Sequence, residues 1–158
     1  MATDTIIFDV GSPSTMGCQI DSSKDLRLLY DADTVEEAVW QFRMPANYAS
    51  APVAKVQYAM ASAVAGTVEF EVYMMAVSDG DAQDLDADSY DSANSGSATV
   101  PGTAGYLDEI SVALANADSV AAGDYCRLKV GRDADDAVND TATGDAEVRN
   151  LALEYTTA

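Results

Sequence analysis

Histidine is absent from the sequence, and cysteine occurs only twice, as Cys18 and Cys126. Without histidine the chain lacks the commonest general base and the commonest ligand of transition metals. Two cysteines are too few for a disulfide framework, although a Cys18–Cys126 pair stays open as an alternative to a small core residue at Cys126. The sequence also contains no G-x-S-x-G nucleophile motif, phosphate-binding loop or zinc-ligand spacing. These absences favour a binding or structural protein over an enzyme.

Basic residues are scarce as well. There are 8 Lys and Arg against 27 Asp and Glu, which gives a net charge of -19. Most of the acidic residues are aspartates, which favour turns, so we expect the charge to lie mainly in loops. Such a chain should repel nucleic acid and anionic membranes, and we expect neither as a partner. No signal-peptide pattern and no apolar run of roughly 18 residues is visible, which predicts synthesis in a cytoplasm.

Apolar and polar residues alternate with a period of two in three clear segments, residues 39–44, 53–60 and 67–77. This period is typical of strands that bury one face in an antiparallel sheet. Weaker strand patterns cover residues 5–10, 26–30, 97–100, 107–114, 125–131 and 146–155. The predicted fold is a single all-β domain, an antiparallel β-sandwich for which a jelly roll is the arrangement we favour.

The alternation also predicts local detail. Val148 starts one face of the last strand, but Leu151 and Leu153 continue on the other, which predicts a β-bulge near Arg149-Asn150. A short helix near residues 34–38 is compatible with the capping-box spacing of Thr34. The residues predicted to form the core are Trp40, Phe42, Val56, Phe70, Val72, Val112, Leu128 and Leu153.

The regular pattern starts only after about residue 35. We therefore divide the chain into residues 1–35, an N-terminal arm or extra edge strands, and residues 36–158, the β-sandwich domain. Ile6, Ile7 and Phe8 form an apolar run in the first part. Such a run gains about 25 cal/mol per Å² by docking on another surface, so these three residues are the predicted protein interface. The alternative is that they pair as an edge strand of their own sandwich.

The densest acidic segment spans residues 79–91, in which Asp84, Asp86 and Asp88 have the alternate spacing of a calcium loop. An EF-hand is excluded, because Ser89 replaces its glycine and Ser95 its bidentate glutamate. If calcium binds, these three aspartates are the predicted ligands; a solvated loop is the default. A second acidic loop could share the cation, through Asp133, Asp135, Asp136, Asp140 and Asp145.

Four tyrosines lie on strand faces or loops that are predicted to be exposed: Tyr48, Tyr73, Tyr90 and Tyr106. They could stack on sugars or fill a protein interface, where tyrosine is enriched; the alternative is that they only pack against neighbouring side chains.

Glu69 and Glu71 share one strand face, about 7 Å apart. In a glycosidase, two carboxylates at that distance lie on opposite sides of the scissile bond. Side chains of a single strand rarely do so, which disfavours a catalytic role. We expect them instead to pair with Lys55 or Arg43 on neighbouring strands.

Three segments, residues 40–48, 56–58 and 100–107, resemble a group of short acidic proteins encoded among the structural genes of tailed phages. The resemblance covers roughly residues 36–157 and consists of strand and turn motifs. It implies a virion component, such as a head decoration protein or part of a tail fibre. It supplies no active-site motif, and no functional residue is transferred.

The preferred hypothesis is a non-enzymatic capsid decoration or cement protein located in the virion. It would be a homo-oligomer, with a trimer favoured, and would bind the major capsid protein through residues near its N-terminus. The alternative is a tail-fibre or carbohydrate-binding module that recognises a host surface glycan. A free carbohydrate-binding module with calcium is the third hypothesis. No cofactor is expected apart from this calcium.

Overall fold

The computed structural model describes residues 1–11, 13–17, 19–21 and 25–158, so Cys18, and with it the alternative of a Cys18–Cys126 pair, lies outside the described residues. Within these ranges the chain forms strands and no α-helix. None of the described residues belongs to a helix that could cross a membrane. The strands are Thr3–Phe8 (β1), Ser14–Met16 (β2), Gln19–Asp21 (β3), Arg27–Tyr30 (β4), Glu36–Arg43 (β5), Tyr48–Met60 (β6), Thr67–Val77 (β7), Asn94–Thr99 (β8), Asp108–Ala113 (β9), Tyr125–Arg132 (β10) and Ala146–Thr157 (β11).

The strands form two antiparallel sheets packed face to face. The first sheet has the order β3-β4-β11-β6-β9, with β1 pairing a further part of β11, and the second has the order β2-β5-β10-β7-β8. From β4 to β7 each connection crosses between the sheets, as in a jelly roll. The prediction of an antiparallel β-sandwich is confirmed.

The core lies between the sheets and consists of the inward-facing residues that the alternation predicted. Of the predicted core residues, Phe42 is half-buried and packs on the core from its edge. The others are buried, and Phe70 lies at the centre with its ring 5.9 Å from that of Tyr30 and 5.7 Å from that of Tyr58. The bulge in β11 is also confirmed, because its register against β6 shifts between Val148 and Asn150.

The segment before residue 36 belongs to the sandwich. Strand β1 pairs with β11 from Thr3↔Thr156 to Phe8↔Leu151, and β4 pairs with the start of β11. Residues 3–8 and 27–30 are thus strands of the first sheet. The predicted helix near residues 34–38 is wrong. Glu36 already begins β5, because the alternation that buries Ala38 and Trp40 extends back to it.

A buried ion pair fixes the connection between β10 and β11 at one end of the sandwich. Arg132 is fully buried, and its Nε and Nη2 each donate to an Asp140 carboxylate oxygen at 2.8 Å. The same guanidinium donates to the carbonyl oxygens of Ala142 and Gly144, both at 2.8 Å. Asp140, expected in a solvated acidic loop, is therefore a structural residue.

Candidate functional site

The outer surface of the second sheet carries polar and aromatic side chains in register across three strands. Tyr125 of β10 lies between Arg43 of β5 and Val77 of β7. Two residues along, Arg127 lies between Gln41 and Met75. These side chains point outward because their neighbours along each strand, such as Cys126 and Leu128, fill the core.

The long loop between β7 and β8 folds back over part of this surface. Arg127 Nη2 donates to the carbonyl oxygen of Leu85 at 2.7 Å, which holds the middle of the loop on the sheet. Near its end, Tyr90 packs edge-on against Tyr73 at 6.5 Å between ring centroids. The Lys129 ammonium contacts both rings, 4.3 Å from the Tyr73 centroid and 4.9 Å from that of Tyr90. This cation–π contact attaches the end of the loop to the sheet.

An open groove of about 610 Å³ remains where the loop leaves β7. Its floor is the outward-facing Tyr125, and its polar wall is formed by Gln41, Arg43, Ser78, Asp79, Asp81 and Gln83. The volume falls within the range of about 300–1,000 Å³ found for small-molecule sites. An aromatic floor with polar groups around it can bind a ligand that has an apolar face and a hydroxylated edge.

Hydrogen bonds to a buried carboxylate hold the wall of the groove in place. Asp124 is 6% exposed, and its two oxygens accept the Ser78 hydroxyl at 2.8 Å and the Ala121 N–H at 2.7 Å. The Asp81 carboxylate accepts the Ser78 N–H at 3.0 Å and closes a tight turn at Gly80, whose φ is +91°. Because these bonds lie within the protein itself, the groove is preformed.

The electrostatics of the covered part of the sheet differ from those of the groove. Burial raises the pKa of the Tyr73 hydroxyl, and its hydrogen bond to Glu71, 2.6 Å long, raises it further. Burial likewise raises the pKa of Tyr90. In the groove, Tyr125 accepts a hydrogen bond of 3.0 Å from Arg127 Nε. The hydroxyl groups of Tyr73 and Tyr90 therefore stay protonated, and their rings serve in packing. The ring of Tyr125 is half-buried and faces the groove.

The tyrosines singled out from the sequence do not converge on one site. Tyr73 lies beneath the end of the loop, where it packs against Tyr90 of the loop itself; Tyr48 packs against Tyr155 at 5.7 Å, and Tyr106 is exposed on the connection from β8 to β9. Sequence reasoning missed Tyr125. A signal was present, because Tyr125 alternates with Arg127 and Lys129 on the outward face of β10.

The predicted metal ligands Asp84, Asp86 and Asp88 lie on the outer part of the same loop and are exposed. Asp84 accepts the Asp86 N–H at 3.0 Å in a local turn, and the Asp88 carboxylate is 3.9 Å from Arg127 Nη1. Calcium binding by these three aspartates stays a prediction.

Glu69 and Glu71 contact neither of their expected partners. Lys55 lies in the first sheet and pairs with Glu109 there. Arg43 donates a hydrogen bond from Nε to the Gly123 carbonyl oxygen.

The predicted interface residues lie in β1. Phe8 is buried in the core and its ring is 5.1 Å from that of Phe42, and Ile6 packs on the core from its edge. Ile7 is 66% exposed on the opposite face of the strand. An interface formed by these residues stays a prediction. Of the three side chains, that of Ile7 is the one with a large solvent-exposed area.

No family model matches the chain, and no curated protein sequence matches it. The fold does have similar solved structures. A family 35 carbohydrate-binding module from Clostridium thermocellum superposes with a TM-score of 0.58 at 10% identity, covering 95% of this chain and 97% of the module. A family 35 module from Cellvibrio japonicus gives 0.54 at 6% identity, covering 98% and 99%. A family 6 module of a Zobellia galactanivorans laminarinase gives 0.52 at 11% identity, covering 95% and 98%. At these identities the likeness shows the fold, a β-sandwich of the kind found in carbohydrate-binding modules.

Proposed function

We propose that the protein is a non-catalytic carbohydrate-binding module whose binding site is the groove over Tyr125. The observation that carries this proposal is the preformed groove itself, with one aromatic ring on its floor and side-chain amides, carboxylates and a guanidinium around it. A pyranose has an apolar C–H face that packs on an aromatic ring and hydroxyl groups that bond to both donors and acceptors. The similar solved structures, all carbohydrate-binding modules, support the proposal at the level of architecture.

The charge of the protein favours a neutral glycan over an acidic one. The net charge is -19, and Asp79 and Asp81 lie at the rim of the groove, so a uronate or sulfated chain would be repelled on approach. Arg43 is the one guanidinium among the lining residues and can donate to sugar hydroxyls. Binding of a neutral glycan would therefore depend only weakly on ionic strength.

The test is a panel of neutral and acidic polysaccharides assayed by affinity electrophoresis and calorimetry, with Tyr125→Ala as the variant. Loss of the stacking ring should weaken binding about tenfold or more, because the apolar area that it buries is lost together with the ~0.5–1.5 kcal/mol of the aromatic contact itself. Tyr106→Ala is the matched control, because Tyr106 is 62% exposed and lies outside the groove. Equal binding by Tyr125→Ala and the unaltered protein, or a panel with no ligand, would refute the proposal.

A virion role is the second proposal, and one observation favours it. Strand β1 lies at the edge of the first sheet and carries the exposed Ile7, so its outer face is available to a neighbouring subunit or a capsid lattice. Removing the first 12 residues would also remove Phe8 from the core. The cleaner test is Ile7→Asp, measured by oligomeric state in solution and by binding to purified shells. If the unaltered protein is monomeric in solution and does not bind purified shells, this role is contradicted.

A further inference from the structure

Three carboxylates converge at the end of the second sheet that lies far from the groove. Glu69 is at the start of β7, and Asp133 and Asp136 follow β10. One oxygen from each lies within 4.8 Å of the other two. Among the described residues, no other three acidic side chains come this close together. Val77 at the groove is eight residues further along β7 than Glu69, a span of about 26 Å.

The Glu69 carboxylate is buried and incompletely bonded. The residue is 6% exposed, and its Oε2 is enclosed with no hydrogen-bond partner among the described residues. An orphaned carboxylate oxygen is costly, since a buried charge needs a partner. Asp133 and Asp136, whose carboxylates lie within 4.8 Å of it, carry charge of the same sign. Burial raises the pKa of the Glu69 carboxyl, a hydrogen bond with the Ser95 side chain lowers it, and the charges of Asp136 and Asp133 raise it.

The backbone holds the three groups in this arrangement. The Asp133 N–H donates to the Glu69 carbonyl oxygen at 3.1 Å, and the Glu69 N–H donates to Asp140 at 3.1 Å. Asp140 is in turn fixed by Arg132. The Asp136 carboxylate is oriented by the N–H groups of residues 138 and 139, at 2.8 and 3.0 Å. Like charges are therefore held together by the fold and cannot move apart freely.

We propose that Glu69, Asp133 and Asp136 form a binding site for a divalent cation, with Ca²⁺ as the ion that fits best. All three ligands are carboxylate oxygens, which hard cations prefer. Two oxygens bound to one Ca²⁺ are at most about 5 Å apart, so a single ion can reach all three; the shorter bonds of Mg²⁺ require a tighter cluster. The half-buried Asp133 and Asp136 leave room for water to complete the coordination.

This site differs from the one that the aspartate spacing in residues 84–88 predicts, and the two can be separated by mutation. Calorimetry with CaCl₂ on chelator-treated protein should show one bound ion. Glu69→Gln should weaken Ca²⁺ binding at least tenfold, whereas Asp86→Asn, a matched charge removal in the other acidic loop, should leave it unchanged. MgCl₂ should bind more weakly than CaCl₂.

Thermal unfolding supplies a second readout that a merely structural role for Glu69 would not produce. At 100 times the dissociation constant, Ca²⁺ should raise the Tm of the unaltered protein by roughly 5–10 °C and leave that of Glu69→Gln unchanged. In chelator, Glu69→Gln should be at least as stable as the unaltered protein, because it removes one of three like charges. If Glu69→Gln does not fold, Asp133→Asn takes its place. No binding at millimolar Ca²⁺, equal binding by both proteins, or loss of binding in Asp86→Asn would each overturn the assignment.

Discussion

Asp140→Ala would leave the Arg132 guanidinium without its counter-charge inside the sandwich. The Arg132 side chain is 0% exposed and that of Asp140 is 2% exposed, so water cannot replace the lost carboxylate in the folded protein. Two charge-assisted hydrogen bonds of 2.8 Å disappear, and the Glu69 N–H loses its acceptor. The substitution therefore removes a network at the point where the β10–β11 connection is attached.

Breaking a buried ion pair by removing one partner costs about 3–5 kcal/mol, most of it from the charge that remains. For a chain of 158 residues, 1 kcal/mol corresponds to a shift in Tm of roughly 2–4 °C, so we expect a fall of about 6–20 °C. Replacing both partners, as Arg132→Met with Asp140→Ala, should cost less than the sum of the two single changes by about 1–3 kcal/mol, since no charge is then left behind.

Urea unfolding followed by circular dichroism and calorimetry would measure these values. Asp88→Ala is the matched control, because Asp88 also faces an arginine, Arg127 at 3.9 Å, but its side chain is 73% exposed. Such a surface pair should contribute about 0–1 kcal/mol. If Asp140→Ala loses no more stability than Asp88→Ala, the reasoning from burial is refuted.

Two further outcomes are expected. Phe70→Ala should destabilise the protein by about 3–5 kcal/mol, because it opens a cavity at the centre of the core; a Tm within a degree or two of the original would contradict this. Asp91 accepts the N–H groups of Asp118 and Ser92, and these bonds lower the pKa of its carboxyl below 3.8. Its stabilising charge is present above that pH and is lost as the pH falls through the lowered value. The stability lost in Asp91→Asn should therefore shrink in acid, and a pH-independent difference would contradict this.

The sandwich and its core could be predicted because alternation is a local property of the sequence. Residues 39–44, 53–60 and 67–77 each carry enough alternating side chains to define a buried face, and even the bulge beside Asn150 left a visible change of phase. The strands before residue 36 were harder to assign. Strand β4 has four residues, too few for a firm pattern, and the pairing of β1 with β11 joins opposite ends of the chain.

The candidate sites depend on contacts that have no local signature. Asp124 and Asp140 look like loop residues in the sequence, yet both are buried. Asp124 accepts a hydrogen bond from Ser78, which is distant in the chain, and Asp140 pairs with Arg132. Glu69 alternates like an ordinary solvent-facing strand residue, and the Asp133 loop encloses it only in three dimensions. The position of Tyr125 in a groove likewise depends on the path that the β7–β8 loop takes as it leaves β7.

The central position of β11 has a consequence for how the chain folds. This strand pairs with β1, β4 and β6, and β10 pairs with both β5 and β7, so each sheet is organised around one of the last two strands in the sequence. During synthesis, the earlier strands would emerge with their hydrogen-bonding edges open until these partners arrive. Folding should consequently be slow, since strands far apart in the sequence must meet before either sheet closes. In that interval, mutual repulsion among the acidic connections would keep neighbouring nascent chains from pairing edge to edge.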